Sequence, residues 1–379
     1  MTWAWARAGA WALAWACAFA CAFAVASACG SATVRPTTLA ERERATMQRL
    51  ELRGAVEAMG LADGRVAVAA YDDRARSVVL GAAEVGERWD AQSLVLRPIA
   101  RGAPMFAATL DGDGVALVQA GDAGRGVRVM RAPIEGARAT RVAGKADAAP
   151  SRLAIARDAR GRLWTAWLEQ GAPPTVARID GATLTVVSHA LPAQTGGDVA
   201  LAATDGVLAV ARASSAGVDV MWLAIDEAAG PRARATISVS QDAADDVAAR
   251  ALGDQVLVAW SGALGVEIAA LRAGAIVTGP TRVDDGARRG EPAHRVGAAL
   301  AMDVSPSGDI VLSYQDQTAG TLVFSRGTVG SMRRAERADR AWTRAMHTSV
   351  AWSRGRPWIV ETALRSAPRL ETMLRAVGL

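Results

Sequence analysis

Leu153-Ala-Ile-Ala-Arg-Asp158-Ala-Arg-Gly161-Arg-Leu-Trp-Thr-Ala-Trp167 is the stretch that decides the fold. A short apolar strand runs into an Asp-to-Gly turn and returns as a second apolar strand ending on an aromatic. The phrase recurs about every 48 residues. Later copies run from Val199 to Arg212, Val247 to Trp260, Ala298 to Tyr314 and Ser349 to Glu361, and earlier ones turn at Asp63-Gly64 and Asp113-Gly114. Around the first copy, two more strands are expected, Thr175 to Ile179 and, after the Asp180-Gly181 turn, Leu184 to Ser188. The unit after Asp246 repeats the pattern as Val247 to Arg250, Val256 to Trp260, Val266 to Leu271 and Ala275 to Val283.

Four short antiparallel strands per unit predict an all-β propeller of about seven four-stranded blades, with six or eight left open. The first strands carry small residues, as in Ala248-Ala249 and Ala298-Ala299, which suits strands crowded around an axis. Trp167, Trp260 and Tyr314 hold matching positions at the end of second strands. They are expected to pack between blades, the alternative being a ligand-stacking ring at the mouth. The last unit is one strand short, and Met47 to Leu52 is the segment available to complete it and leave no open edge.

The N-terminal end reads as an address. Arg7 precedes an apolar stretch from Ala8 to about Ala26, which closes on small residues before Cys29. Ala26-Ser27-Ala28-Cys29 resembles the lipobox of bacterial lipoproteins, although that family prefers Leu where Ala26 stands. The resemblance implies a signal peptide over 1–28, lipidation at Cys29, a tether over 29–46 and a propeller over 47–379. It also implies a lipid-anchored site in the cell envelope; Gly30, standing where enteric bacteria use Asp for inner-membrane retention, favours the outer membrane. Cleavage after Ala28 by ordinary signal peptidase and an uncleaved anchor helix are the competing readings. The only other cysteines, Cys17 and Cys21, lie inside the apolar run, so the body has no disulfide and no Cys-based chemistry.

Composition narrows the partners. Lys145 is the only lysine, asparagine is absent, and the net charge of +5 is spread over arginines mixed with acidic residues. Nucleic-acid binders gather their basic residues on one face, so no nucleic-acid partner is expected. The clusters at Arg288-Arg289 and from Arg333-Arg334 to Arg344 are interleaved with acids and read as solvated loops and outer strands, as does Asp242 to Asp246. Lipid headgroups or an acidic partner are the sharper alternative for the arginines.

Chemistry is sparse. Asp158, Gly161 and Trp164 faintly resemble the Asp-box of sialidase-like propellers, with the spacing one residue too long and the Ser missing. That family also needs an arginine set and a Tyr nucleophile paired with Glu, whereas Tyr71 and Tyr314 fall at repeated structural positions. Asp111-Gly-Asp113-Gly114 lacks the rest of a calcium loop and reads as a hairpin turn. His189, His294 and His347 sit in different units without metal spacing and read as surface or turn residues, convergence on a central channel being left open. No catalytic residue, metal or cofactor is therefore assigned. The expected function is a non-catalytic platform for an envelope protein or glycan. The alternative is a hydrolase or lyase acting on a sugar or lactone, with Glu361, Arg212 and a turn aspartate as candidates.

Overall fold

The computed structural model describes residues 48–49, 52–72, 75–84, 96–121, 124–135, 139–187, 197–226, 230–338, 344–364 and 372–378. The expected signal segment, Cys29, the tether and His189 lie outside these residues. Among the described residues no α-helix occurs, and the strands form seven four-stranded sheets.

The described strands begin with β1 (Gln48–Arg49), and the first sheet is built from β2 (Leu52–Gly60), β3 (Arg65–Asp72), β4 (Ser77–Glu84) and β5 (Arg97–Arg101). The second sheet holds β6 (Phe106–Asp111), β7 (Gly114–Ala120), β8 (Val127–Pro133) and β9 (Thr140–Lys145). The third has β10 (Pro150–Arg157), β11 (Leu163–Glu169), β12 (Thr175–Asp180) and β13 (Thr183–Val187). Next come β14 (Asp198–Ala203), β15 (Val207–Ser214), β16 (Gly217–Asp226) and β17 (Gly230–Ser240). The fifth sheet contains β18 (Ala244–Leu252), β19 (Gln255–Gly262), β20 (Gly265–Arg272) and β21 (Ala275–Asp284). The sixth contains β22 (Val296–Val304), β23 (Ile310–Asp316), β24 (Thr321–Gly327) and β25 (Arg333–Ala338). These six sheets each use four consecutive strands. The remaining sheet joins the two ends of the chain: β26 (Arg344–Ser353), β27 (Arg356–Leu364) and β28 (Thr372–Gly378) pair in order, and β1 adds to β28.

Within the Leu153 unit, the Leu153↔Trp167 and Arg157↔Leu163 pairs set the first hairpin in the expected register. The Asp158 turn that closes it is fixed by one carboxylate. Asp158 Oδ1 accepts the backbone N–H groups of Arg160 at 3.0 Å and Arg162 at 2.9 Å. Its Oδ2 accepts Arg162 Nε at 2.7 Å and the Trp164 indole N–H at 3.1 Å. Burial alone would raise this carboxyl, but the bonds from Arg162 and Trp164 outweigh it and hold the pKa below its ordinary value. Asp111 and Gly114 pair directly, so Asp111-Gly-Asp113-Gly114 is a two-residue hairpin turn, and Asp111 Oδ2 receives Arg131 Nε at 2.6 Å.

The first strands stand side by side in a closed circuit, β2, β6, β10, β14, β18, β22, β26 and again β2. Each sheet is therefore covered on both faces, which is why second strands such as Ile310–Asp316 are buried at every position rather than alternating. The outermost β21, by contrast, is exposed along most of its length. Apolar clusters form between neighbouring sheets all the way round, instead of in one central core. One joins Val68 to Trp358 across the first and last sheets, another Trp167 to Val118, another Trp260 to Val220, and another Tyr314 to Ile268.

Of the expected closing segment, Met47 to Leu52, the described residues Gln48 and Arg49 pair with β28 opposite Leu374 and Met373, while Leu52 pairs with Asp72 in the first sheet. The chain thus steps from the outer edge of one sheet to the inner strand of the next, as it does between the other sheets.

Second strands end on one repeated position: Tyr71, Gln119, Trp167, Arg212, Trp260, Tyr314 and Glu361, all buried. Several of these large side chains have polar tips that find partners. Tyr71 donates to Gly102 O at 3.0 Å, Trp167 to Glu169 at 2.9 Å, Trp260 to Glu267 at 3.1 Å and Tyr314 to Asp284 at 3.0 Å. The aromatics are inter-sheet packing residues and line no mouth.

Candidate functional site

The axis of the ring is a channel lined by first-strand residues of all seven sheets. Its wider end encloses about 550 Å³ and its narrower end about 360 Å³, and both share Glu57, Ile155, Leu201, Ala249 and Arg250 at the waist. Small residues keep the strands close, while the polar residues among them point charge at the opening.

At the wide end, Arg152, Asp198 and Asp246 come from three consecutive sheets. They occupy one repeat position, each directly before the Leu153, Val199 or Val247 that pairs with the end of a second strand. Arg152 Nε lies 3.5 Å from Asp198 Oδ1, with the arginine side chain about half exposed (53%). His347, Thr348 and Ser349 from β26 and Glu57 from β2 complete the lining. At the narrow end Arg250 Nε lies 3.5 Å from Asp303 Oδ1.

These carboxylates also clip neighbouring sheets together. Asp198 Oδ2 accepts the N–H of Val247 at 3.2 Å, Asp246 Oδ2 that of Ala299 at 2.9 Å, and Asp303 Oδ2 that of Trp352 at 2.9 Å. Between the last sheet and the first, Ser349 Oγ accepts the N–H of Ala58 at 2.9 Å and donates to Glu57 Oε2 at 3.2 Å. Such bonds satisfy backbone groups that the innermost strands would otherwise leave orphaned.

The ring's enclosure tunes these groups. Burial pushes the Glu57 carboxyl up to about 7, against the opposing pull of Arg250 and the Ser349 hydroxyl. Burial and then repulsion from Asp246 push Asp198 up to about 6, opposed by the Val247 N–H and Arg152. Asp246 and Asp303 are raised for the same first reason, while burial and Arg152 lower His347.

A folded-state pKa above the unfolded value of 4.5 means that Glu57 contributes stability fully present below about pH 4.5 and lost as pH rises through about 7. Glu57→Gln keeps the shape of the protonated acid. The variant is expected to match the parent near pH 4 and to exceed it by about 1–3 kcal/mol near pH 8 in urea unfolding. An identical pH profile for the two proteins would show that Glu57 titrates freely.

Several sequence expectations change here. Asp246 is a channel-lining strand residue, not part of a solvated loop, because the fifth sheet's first strand begins at Ala244. His347 lines the channel. His294 is half-buried with its side chain largely covered (6%): its Nδ1 lies 2.7 Å from Asp316 Oδ2 and its Nε2 2.8 Å from Glu291 Oε2. The Arg288 side chain is covered with it, 3.0 Å from Asp284 and 3.2 Å from Asp316, whereas Arg289 is exposed. Arg212 and Glu361 are buried within the sheets and are not brought to the channel, Arg212 lying 3.2 Å from Asp219. Glu57, Arg152, Asp198, Arg250 and Asp303 were not singled out in the sequence. The signal available was the polar residue standing before the apolar first strand in three successive repeats. Among the described residues, no group of His, Cys, Asp and Glu is arranged to hold a metal ion.

No protein-family model matches this chain, and no curated protein sequence matches it. Solved structures do resemble it in fold. A protein from Lactobacillus plantarum is similar over 83% of this chain and 96% of its own, at 15% identity and a TM-score of 0.58. The hydrazine synthase of Kuenenia stuttgartiensis is similar over 86% of this chain and 99% of that one, at 14% identity and a TM-score of 0.56. The WD40 domain of Toxoplasma gondii coronin covers 85% of its own length and 89% of this chain, at 11% identity and a TM-score of 0.55. WD40 repeats build radial arrays of four-stranded sheets around a channel, and this chain has the same architecture. Its body is a β-propeller.

Proposed function

We propose that this protein is a lipid-tethered envelope protein, anchored through Cys29, whose propeller is a non-catalytic platform for a protein or glycan partner. The observation that carries the reading is the use made of the channel carboxylates. Asp198, Asp246 and Asp303 each hold a backbone N–H of the next sheet, so their geometry serves the ring. The open channel they surround is left as a receptor for groups presented from outside.

Cys29→Ser is expected to abolish labelling by a fatty-acid analogue and to move the protein from the membrane to the soluble fraction. Continued membrane association of the variant would overturn the lipid anchor. The platform itself is checked by affinity capture from envelope extracts, where recovery of no specific partner or glycan would count against it.

One observation favours a hydrolase or lyase of a sugar or lactone: two carboxyls tuned to about 7 and about 6 line the same cavity. Turnover of a chromogenic glycoside or lactone that disappears in Glu57→Gln would establish that alternative.

A further inference from the structure

We propose that the wide end of the channel is a saccharide site, in which a neutral sugar is held by Arg152, Asp198 and Asp246 from three consecutive sheets. The inference deepens the platform reading and rests on it.

The chemistry of the lining selects the ligand class. The cavity, at about 550 Å³, lies within the roughly 300–1,000 Å³ typical of small-molecule sites. Its charges are of both signs. A simple anion entering it would face Asp198, Asp246 and Glu57, and a simple cation would face Arg152 and Arg250. Neither finds a field of one sign. A sugar carries hydroxyls that both donate and accept, so it satisfies guanidinium and carboxylate groups together.

The apolar part of the lining fits as well. Leu153, Ile155 and Leu300 also line the cavity, and the parts of them left exposed by packing on the inter-sheet clusters offer apolar surface to the C–H faces of a pyranose ring. The Thr348 and Ser349 hydroxyls are already bonded within the ring, to Ala299 O and Ser313 and to Ala58 N–H and Glu57, which leaves the charged groups to meet a ligand. Burial raises the Glu57 carboxyl to about 7, so near neutral pH it can donate as well as accept, while Asp198, at about 6, serves as an acceptor. Arg152 is the group best placed to meet an incoming ligand, because it is about half exposed and pairs with Asp198 only at a long 3.5 Å.

Saturation-transfer NMR of the intact protein with the methyl glycosides of glucose, galactose, mannose, fucose and N-acetylglucosamine tests the site. At least one is expected to bind, and Arg152→Ala is expected to weaken it by about tenfold or more. Val277→Ala, on the exposed outermost strand of the fifth sheet, is expected to bind as the parent does. Melting temperatures of both variants establish that each is folded. Absence of any glycoside signal from the parent protein overturns the inference, and so does binding that Arg152→Ala leaves unchanged. Capture of an envelope protein by a propeller that binds no glycoside would overturn the saccharide site while leaving the platform reading intact.

Discussion

Exchange of Asp316 for alanine is expected to destabilise the propeller by about 3–5 kcal/mol, because it removes the buried acceptor shared by Arg288, His294 and the Ala319 N–H. Asp316 is fully buried (0%) at the end of β23 and receives the Ala319 N–H at 2.9 Å. Its Oδ2 faces His294 Nδ1 at 2.7 Å and Arg288 Nη2 at 3.2 Å. Arg288 in turn bonds Asp284, whose Oδ2 also accepts the Tyr314 hydroxyl at 3.0 Å. The network thus ties residues 284–294 to two sheets. Burial alone would raise Asp316, yet His294, the Ala319 N–H and Arg288 hold its pKa below the ordinary 3.8. Its contribution is therefore present above about pH 3.8 and is lost as pH falls through the lower folded-state value. Urea unfolding near pH 7 measures the cost of Asp316→Ala. A loss under about 1 kcal/mol would mean that the cluster behaves like an exposed ion pair.

Gly60→Ala is expected to cost about 3 kcal/mol or more and to loosen the contact between the first and last sheets. A Cβ at this position would stand 1.7 Å from the carbonyl oxygen of Trp352, and the obstacle is backbone, so no rotamer change relieves it. Gly60 ends β2, and Trp352 lies on β26, the pair of strands that closes the inner circuit. Thermal unfolding should show the loss. Faster hydrogen exchange in the first and last sheets than in the third and fourth would locate it. A melting temperature equal to that of the parent would mean that these strands separate freely.

The Leu153 to Trp167 stretch carried the architecture because every feature of it is local. A turn carboxylate, a glycine with positive φ and an aromatic at the strand's end act over about 15 residues, and repetition multiplies the signal. The Asp158 turn shows the cause in detail, with one side chain bonding two backbone N–H groups and the Trp164 indole. Likewise, the small residues of β18 and β22, Ala248-Ala249 and Ala298-Ala299, point to an inner position from the sequence alone.

The candidate site was legible only in fragments. Arg152, Asp198 and Asp246 are about 46 to 48 residues apart, and each is unremarkable among the charged residues near it. Glu57 lies between apolar neighbours, Val56 and Ala58, and nothing local sets it apart from any other acidic strand residue. Arg288 and His294, although close in the chain, read as solvated loop or turn residues because their common partner Asp316 is more than 20 residues away.

By itself, then, the sequence determined what depends on near neighbours: strand and turn alternation, the number of strands in a unit, and which residue types crowd the axis. Tertiary structure alone decided which charges share a cavity. Ring closure brings one polar residue from each of several repeats to the same axis, where burial and mutual repulsion shift their proton affinities. Those interactions depend on distance through space, and the repeat spacing that places the residues does not show how strongly they act on one another.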